Sequence, residues 1–277
     1  MPGIAIIRYV SDNQNRKDRR MSGPLWKPSE DRIRSTNMYR FMQLVNERYG
    51  KDFVDYDALW QWSVENIPEL WKTLWDFMDI IHSRGYDSVL EDGDRMPGAR
   101  WFPGAELNFA ENLMRYRDGH PAIIFRSEKN GTLTVTYSEL YDRVTRLARS
   151  MRDMGIRKGD RVAGFMPNMP ETIIAMLASA SIGALWSSCS PDFGIKGVLD
   201  RFGQIEPRVI FTADGYWYNG KPFNSLDRIS EILRELPTIE KVIVVPYVEE
   251  DPDISDVAGS VLYGDFVSDK EGLCLLY

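Results

Sequence analysis

The chain has 277 residues, of which 43% are hydrophobic, and a formal net charge of -7 at pH 7. This length and apolar content suit one large domain, or two smaller ones, with a substantial core. The acidic balance argues against a nucleic-acid partner, because nucleic-acid-binding surfaces carry a basic face. Cys189 and Cys274 are too few for a disulfide framework or a zinc cluster, and no apolar run approaches the ~20 residues of a membrane span. We therefore expect a cytosolic protein that has no membrane span.

The first part of the chain is predicted to be a tail followed by a helical segment. Residues 1–24 are expected to be a disordered tail, and residues 25–115 an N-terminal helical cap. Apolar residues recur at helical spacing over 37–84, and Pro68 separates two helices. The aromatic and aliphatic stripe in this segment suggests either a ligand groove or a face packed on a core, and we favour the core interpretation. The members of the stripe are Leu59, Trp60, Val64, Trp71, Leu74, Trp75 and Met78.

Beyond residue 120 the apolar pattern alternates between strand and helix. Paired strands are predicted at 122–125 and 133–136, joined across the Asn-Gly turn at 130–131. An amphipathic helix is predicted over 137–154, with Gly155 as its stop. The other predicted strands lie at 161–165, 185–187, 209–212 and 242–245, and the other predicted helices at 170–182, 196–205 and 225–236.

Strands separated by single helices favour a parallel sheet, because parallel neighbours need a crossover connection. The predicted fold class is therefore α/β, with the N-terminal helical cap followed by part of a doubly wound parallel sheet. Asn168 and Glu171 are predicted to cap the helix that follows them. Ligands of such sheets bind at the carboxyl ends of the strands, which here are the loops at 166–169, 187–194 and 213–222.

The third of these loops has the spacing of a nucleotide-binding P-loop. The spacing runs from Gly215 to Gly220 and Lys221, and it follows a predicted strand. Pro222 stands where a P-loop needs Ser or Thr to hold magnesium, and it supplies neither a hydroxyl nor a backbone N–H, so a P-loop ATPase is disfavoured. Two interpretations stay open. The loop is a solvent-exposed connection, or Lys221 and Tyr218 contact an anionic or nucleotide ligand by charge, hydrogen bonding and stacking.

The second loop is rich in small polar groups. Ser190, Pro191 and Asp192 follow a predicted strand, and their oxygens either contact a ligand or cap the next helix. His82 and His120, the only histidines, lie outside the three loops, so the sequence gives no support for a Ser-His-Asp nucleophile. No metal-ligand spacing is present, and we therefore predict no metal site in this chain.

Several long motifs occur in one order along the chain. Residues 101–112 are similar to a segment of the acetyl-CoA synthetase branch of the adenylate-forming enzymes. Residues 186–194, Trp-Ser-Ser-Cys-Ser-Pro-Asp-Phe-Gly, and residues 218–221, Tyr-Asn-Gly-Lys, resemble the acetoacetyl-CoA synthetases. The resemblance covers roughly residues 25–265, and a series of motifs is more specific than any one of them. Further matching segments lie at 136–140, 158–162, 166–168, 175–183, 198–207 and 210–213.

This resemblance implies an acetoacetate–CoA ligase that works in two steps. ATP and acetoacetate would form acetoacetyl-AMP and pyrophosphate with Mg²⁺, and coenzyme A would then displace AMP to give acetoacetyl-CoA. Residues 116–265 would be the first part of the AMP-binding domain, and residues 266–277 a divergent tail. Acetoacetate would be the small-molecule substrate.

The resemblance also implies which residues lie beside coenzyme A. In related acetyl-CoA synthetases, five matching positions lie beside coenzyme A, and the last two of them are arginines that meet its phosphate. This chain keeps one cation of that pair. The phosphate loop and the catalytic lysine of the family have no counterpart here, so we expect no catalytic residue in this chain and no adenylate formation by the chain alone. The candidate coenzyme A residues are Ser190, Pro191, Asp192, Tyr218 and Lys221.

Truncation of a longer ligase is the simplest interpretation of those missing segments. One alternative is a non-catalytic module that binds coenzyme A or pairs with another subunit through an unfinished sheet edge, since unpaired edge strands are templates for association. The P-loop ATPase is the other alternative.

Overall fold

The computed structural model of the chain describes residues 26–129 and 131–267. The chain divides into two compact units, the first of which ends at Met78. The tail predicted at 1–24 lies outside the described residues, as does most of the tail predicted at 266–277. Within the described ranges, no helix is both long and apolar enough to cross a membrane.

The described part of the first unit is helical, as the sequence predicts for the stretch that begins at residue 37. Pro68 lies in the first turn of the fourth helix, where a missing backbone N–H costs nothing, so the predicted break between two helices is confirmed. The core of the unit consists of Phe41, Met42, Val45, Leu59 and Trp62. The helices are α1 (Glu30–Arg34), α2 (Asn37–Tyr49), α3 (Tyr56–Glu65) and α4 (Ile67–Phe77).

The predicted core role of the aromatic stripe is only partly correct. Leu59 is buried and Leu74 packs against the core, whereas Trp60 is 51% exposed and Trp71 is 42% exposed. On α3, Leu59 and Trp62 are three residues apart and both face the core of the unit. Trp60 is turned about 100° away from Leu59, because an α-helix has 3.6 residues per turn. Trp60 lies instead along an apolar groove of about 260 Å³ between helices of this unit.

The second unit contains all the strands, and the remaining helices, of the described residues. Every strand and helix predicted between residues 120 and 245 is confirmed, and no end differs by more than two residues. Six elements of this unit were not predicted, namely the strands at Leu90–Glu91, Arg100–Trp101, Gly215–Tyr218, Lys221–Asn224 and Ser260–Leu262 and the helix at Tyr263–Phe266. The elements are β1 (Leu90–Glu91), β2 (Arg100–Trp101), α5 (Phe109–Leu113), β3 (Pro121–Arg126), β4 (Thr132–Thr136), α6 (Tyr137–Asp153), β5 (Arg161–Phe165), α7 (Pro170–Ser181), β6 (Leu185–Cys189), α8 (Ile195–Ile205), β7 (Val209–Ala213), β8 (Gly215–Tyr218), β9 (Lys221–Asn224), α9 (Leu226–Glu235), β10 (Lys241–Val245), β11 (Ser260–Leu262) and α10 (Tyr263–Phe266).

The central sheet has five parallel strands in the order β11-β10-β7-β5-β6. Successive residues of a strand point to opposite faces, and on β7 Val209 and Phe211 pack in one core while Ile210 packs in the other. The first core contains the buried faces of α6 and α7, and the second contains those of α8 and α9. Helices therefore cover both faces, which confirms the predicted doubly wound sheet.

The predicted cap of α7 is wrong. The residue before the helix is Met169, and no side chain caps the first turn. Pro170 opens the helix and has no N–H to satisfy, so fewer backbone donors need a capping oxygen. Glu171 is instead partly buried, and that burial raises the pKa of its carboxyl group.

The amino edge of the sheet carries a network of charges. Asp160, Arg208 and Glu240 each directly precede a strand, and the strand order β10-β7-β5 puts Arg208 between the two carboxylates. Its guanidinium lies 2.7 Å from Asp160 Oδ2 and 2.7 Å from Glu240 Oε1. The hydrogen bond from Arg208 lowers the pKa of Glu240. Burial opposes ionisation of Asp160, but bonds from the Arg157 backbone N–H and from Arg208 still lower its pKa.

Candidate functional site

A cavity of about 610 Å³ lies at the carboxyl edge of the sheet. All three loops predicted to surround a ligand contribute to it, and so does the segment after β10. The three loops therefore meet around one cavity, at the edge where ligands of parallel sheets bind. The cavity is lined by Pro167, Asn168, Ser190, Pro191, Asp192, Tyr216, Trp217, Tyr218, Phe223 and Tyr247.

Four of the five candidate coenzyme A residues line this cavity. Ser190, Pro191 and Asp192 come from the loop after β6, and Tyr218 comes from the end of β8. Lys221 does not line the cavity, but it is the strand partner of Tyr218 and is exposed to solvent. The structure therefore gathers the predicted residues at one edge, with the cation beside the cavity.

The segment that resembles a P-loop is a β-hairpin. Strands β8 and β9 pair antiparallel, with Tyr218 opposite Lys221. Asn219 (φ 51°) and Gly220 (φ 74°) are both left-handed, as a two-residue hairpin turn of type I′ requires. A P-loop must wrap phosphates and lead into a helix, whereas here the chain turns back into a second strand. The P-loop ATPase interpretation is wrong for this reason.

The hairpin turn is held from outside by the carboxylate of Glu128. The backbone N–H of Asn219 donates to Glu128 Oε1 at 3.1 Å, and that of Gly220 donates to Oε2 at 2.7 Å. The Nζ of Lys129 lies 5.2 Å from the centre of the Trp217 ring. Both contacts come from the connection between β3 and β4, which therefore supports the hairpin wall of the cavity.

The Ser190–Asp192 loop is held by a guanidinium. Arg228 lies in the first turn of α9, and its Nη1 donates to the carbonyl oxygen of Pro191 at 2.7 Å. The alternative role for these residues, capping of the next helix, is wrong, because α8 begins after Gly194 with no side-chain cap. The polar groups of the loop are therefore free of a capping role and face the cavity.

The segment after β10, which forms another wall of the cavity, is held by the buried carboxylate of Asp214. Asp214 follows β7, is 5% exposed, and accepts hydrogen bonds from the backbone N–H groups of Tyr247, Val248 and Glu249 at 2.7 to 3.2 Å. These bonds fix the path of the chain after β10 and so hold Tyr247 in the cavity wall. Burial raises the pKa of the Tyr247 phenol, and the hydroxyl group stays neutral at physiological pH.

The lining favours binding over acid–base chemistry. Tyr216 and Phe223 stack with their ring centres 5.3 Å apart, and the indole Nε1 of Trp217 is buried with no partner among the described residues. Flat apolar rings with a few donors suit an organic ligand that contains an aromatic base. His120 is exposed beside Asp118, outside the lining, and burial raises the pKa of the Cys189 thiol, which disfavours its thiolate. Among residues 26–129 and 131–267, no cluster of three His, Cys, Asp or Glu is arranged to hold a metal ion.

Sequence reasoning missed the residues that support the walls. Glu128 and Arg228 act on segments that are distant in sequence, and nothing in their local pattern marks them. Asp214 carried a signal that went unused. It is the acidic residue directly after a buried strand, at the edge where ligands and loop-supporting groups gather.

Comparison with known proteins identifies the family. The model of the AMP-binding enzymes matches residues 109–263, more than half of the chain, and this chain belongs to that family. The model of the acetyl-coenzyme A synthetase N-terminus matches residues 56–113.

Similar individual proteins are acetoacetyl-CoA synthetases. The chain is 45% identical over 248 residues to the acetoacetyl-coenzyme A synthetase of Rhizobium meliloti, covering 88% of this chain and 37% of that protein. It is 42% identical over 253 residues to the acetoacetyl-CoA synthetase of Gallus gallus, covering 90% of this chain and 38% of that protein. The solved structure of acetoacetyl-CoA synthetase from Streptomyces lividans superposes with a TM-score of 0.82 at 40% identity, covering 91% of this chain and 39% of that one. The chain thus spans well under half of the length of these relatives.

Proposed function

We propose that this chain supplies the N-terminal part of an AMP-forming acid–thiol ligase that converts acetoacetate, ATP and coenzyme A into acetoacetyl-CoA. The acetoacetate carboxylate would attack the α-phosphate of ATP with loss of pyrophosphate, and the thiol of coenzyme A would then attack the acyl carbon with loss of AMP. The observation that carries the proposal is the cavity that brings Ser190, Pro191, Asp192 and Tyr218 together. These are positions that the family resemblance assigns to coenzyme A.

The lining fits part of coenzyme A. Its aromatic walls offer a face to an adenine ring, and the ammonium of Lys221, next to the cavity, offers a charge to a phosphate. Coenzyme A supplies the thiol, and the role of this chain would be to bind and orient it. The complete ligase would also use ATP and Mg²⁺.

The proposed organisation follows the same reasoning. Residues 25–115 would form the helical cap of the ligase and residues 116–265 the first part of its AMP-binding domain. The absence of a spanning helix in the described part of the chain is compatible with the proposed cytosolic location.

Titration calorimetry with coenzyme A tests the proposed site. The wild-type chain should bind saturably, and Lys221→Ala should weaken binding about three- to tenfold, as expected for loss of one partly exposed charge contact. Lys158→Ala is the matched control, because Lys158 is also exposed but lies near the opposite edge of the sheet. Absence of saturable binding, or equal weakening by both variants, would contradict the proposed site.

An assay of acetoacetate-dependent AMP release tests the proposed reaction. A longer protein that contains this segment should release AMP only when acetoacetate and coenzyme A are both present. The chain alone should form no acetoacetyl-AMP, because its sequence contains no phosphate loop. Detection of acetoacetyl-AMP with the chain alone would contradict this assignment of roles.

A second candidate function is association through a sheet edge. Strands β6 and β11 are the outer strands of the sheet over the described residues, and each pairs on one side only. An outer strand leaves a row of backbone groups for another chain. Sedimentation of the chain over a range of concentrations tests this candidate, which predicts a reversible shift to a larger species and is contradicted by a monomer throughout.

A further inference from the structure

The connection between β3 and β4 contacts two walls of the cavity at once. Glu128 accepts both turn N–H groups of the β8–β9 hairpin, and Lys129 lies over the ring of Trp217. The Tyr247 phenol is hydrogen-bonded to Ser127, the residue before Glu128. Three consecutive residues outside the cavity lining thus contact the hairpin and the segment after β10.

Glu128 makes the strongest of these contacts. An ionised acceptor roughly doubles the strength of a hydrogen bond, and here each oxygen of one carboxylate takes one N–H. The partners are 91 and 92 residues away in sequence, so the bonds fix the hairpin relative to the β3–β4 connection rather than stabilise the turn locally.

The position of that turn decides where two candidate ligand residues lie. Tyr218 directly precedes Asn219, and Lys221 directly follows Gly220, so each is one residue from an N–H that Glu128 holds. Tyr218 is 68% exposed and Lys221 is exposed, and packing therefore does little to fix either side chain. The backbone of the turn is what places them.

Successive backbone N–H groups in a turn can form a concavity that binds anions. In this chain the concavity is already filled by a carboxylate. A phosphate of a bound ligand would therefore meet Lys221 instead of the turn. From this geometry we propose that Glu128 is a positioning residue for the ligand site, holding the β8–β9 hairpin so that Tyr218 and Lys221 meet coenzyme A. The proposal rests on the proposed function as far as the identity of the ligand is concerned.

The test combines amide hydrogen exchange with coenzyme A titration on the full chain. In Glu128→Ala the amides of Asn219 and Gly220 should exchange at least about tenfold faster than in wild type, because each loses a charge-assisted bond, while the amides of β7 keep their wild-type rates. The dissociation constant for coenzyme A should rise about three- to tenfold. Glu128→Gln keeps the shape and one acceptor oxygen, and it should give intermediate values for both measurements.

Glu231→Ala is the control, since it removes the same charge from an exposed position on α9 that does not line the cavity. It should leave both measurements at their wild-type values. Unchanged exchange at Asn219 and Gly220 in Glu128→Ala would overturn the positioning role. So would unchanged or tighter binding of coenzyme A, and tighter binding would mean that Glu128 blocks an anion site. Failure of the wild-type chain to bind coenzyme A would instead refute the proposed function, and the exchange result would still report on the hairpin.

Discussion

The two edges of the parallel sheet use their charged residues in different ways. At the amino edge, Arg208 pairs with Asp160 and Glu240, so the charges satisfy one another. At the carboxyl edge, Asp214 and Glu128 accept hydrogen bonds from backbone N–H groups. Arg228, at the same edge, donates to a backbone carbonyl.

Charges at the amino edge therefore contribute mainly to stability, whereas those at the carboxyl edge also determine the shape of the cavity. An ion network between strand ends joins three neighbouring strands. A charged side chain that bonds a loop backbone fixes the path of that loop. At the carboxyl edge, the loops held in this way surround the cavity of about 610 Å³. Substitutions at the amino edge should therefore change stability alone, and most of those at the carboxyl edge should change ligand binding as well.

The largest effect on stability is expected for Asp214→Ala. Loss of the carboxylate leaves the N–H groups of three consecutive residues, 247–249, without their acceptor. The free energy of unfolding, measured by urea denaturation, should fall by about 2–4 kcal/mol. Asp253→Ala is the control, because Asp253 is exposed and its hydrogen bonds go to the nearby Ser255, and it should unfold almost as wild type does. A loss below about 1 kcal/mol for Asp214→Ala would show that the segment after β10 holds its path by other contacts.

A smaller loss of stability is expected for Arg208→Ala at the amino edge. The free energy of unfolding should fall by about 1–2 kcal/mol, mainly from the Asp160 pair, because the Glu240 side chain is 50% exposed and solvent screens its contribution. Arg157→Ala removes an exposed arginine from the same edge and serves as the control. Coenzyme A affinity should not change in either variant. A change in affinity with Arg208→Ala would break the separation between the two edges.

The contribution of Arg208 should depend on pH in the acid range. Its partners have lowered pKa values in the folded state, relative to ordinary values of 3.8 for Asp160 and 4.5 for Glu240. Groups with lowered pKa values stabilise the fold above their unfolded pKa, and this stabilisation is lost as pH falls through the folded pKa. The stability difference between wild type and Arg208→Ala should therefore be constant above about pH 5 and shrink as pH falls towards about 3. A difference that is the same at pH 3 and pH 6 in urea titrations would contradict the ion network.

The smallest effect on stability, with a clear effect on binding, is expected for Arg228→Ala. The variant removes the single bond from Arg228 to the Pro191 carbonyl and leaves the strands untouched. Unfolding should change by less than about 1 kcal/mol, whereas coenzyme A affinity should fall about threefold as the Ser190–Asp192 loop loosens. Arg201→Ala, which removes an arginine that lies over the ring of Phe193 in the same region, tests whether any nearby charge has this effect. Equal affinities for wild type and Arg228→Ala would show that the loop needs no such support.

The sequence predicted the sheet well because buried strands carry a strong local signal. The strand at 161–165 is apolar from Val162 onward, and the structure has β5 at Arg161–Phe165. The β8–β9 hairpin was missed because residues 213–222 were weighed only as a loop, either a P-loop, an exposed connection or a ligand contact. Strand β9 tolerates Pro222 as part of a two-stranded ribbon. The Asn219–Gly220 turn was the signal that could have revealed the hairpin.

The rest of the site could not be read from local patterns. The bonds of Glu128 and Arg228 join segments that are 37 to 92 residues apart, and no periodicity reports such contacts. The aromatic stripe failed for a related reason, since Trp60 and Leu59 are adjacent in sequence and only one of them faces the core. Tertiary contacts, rather than local preference, decide these positions.

The most direct measurement of the central claim is the change in amide hydrogen exchange of the chain when coenzyme A is added. Binding at the carboxyl edge predicts slower exchange at residues 190–192 and 216–221, and unchanged exchange at 157–161 on the amino edge. Protection confined to other regions, or no protection at saturating coenzyme A, would contradict the assignment of this cavity.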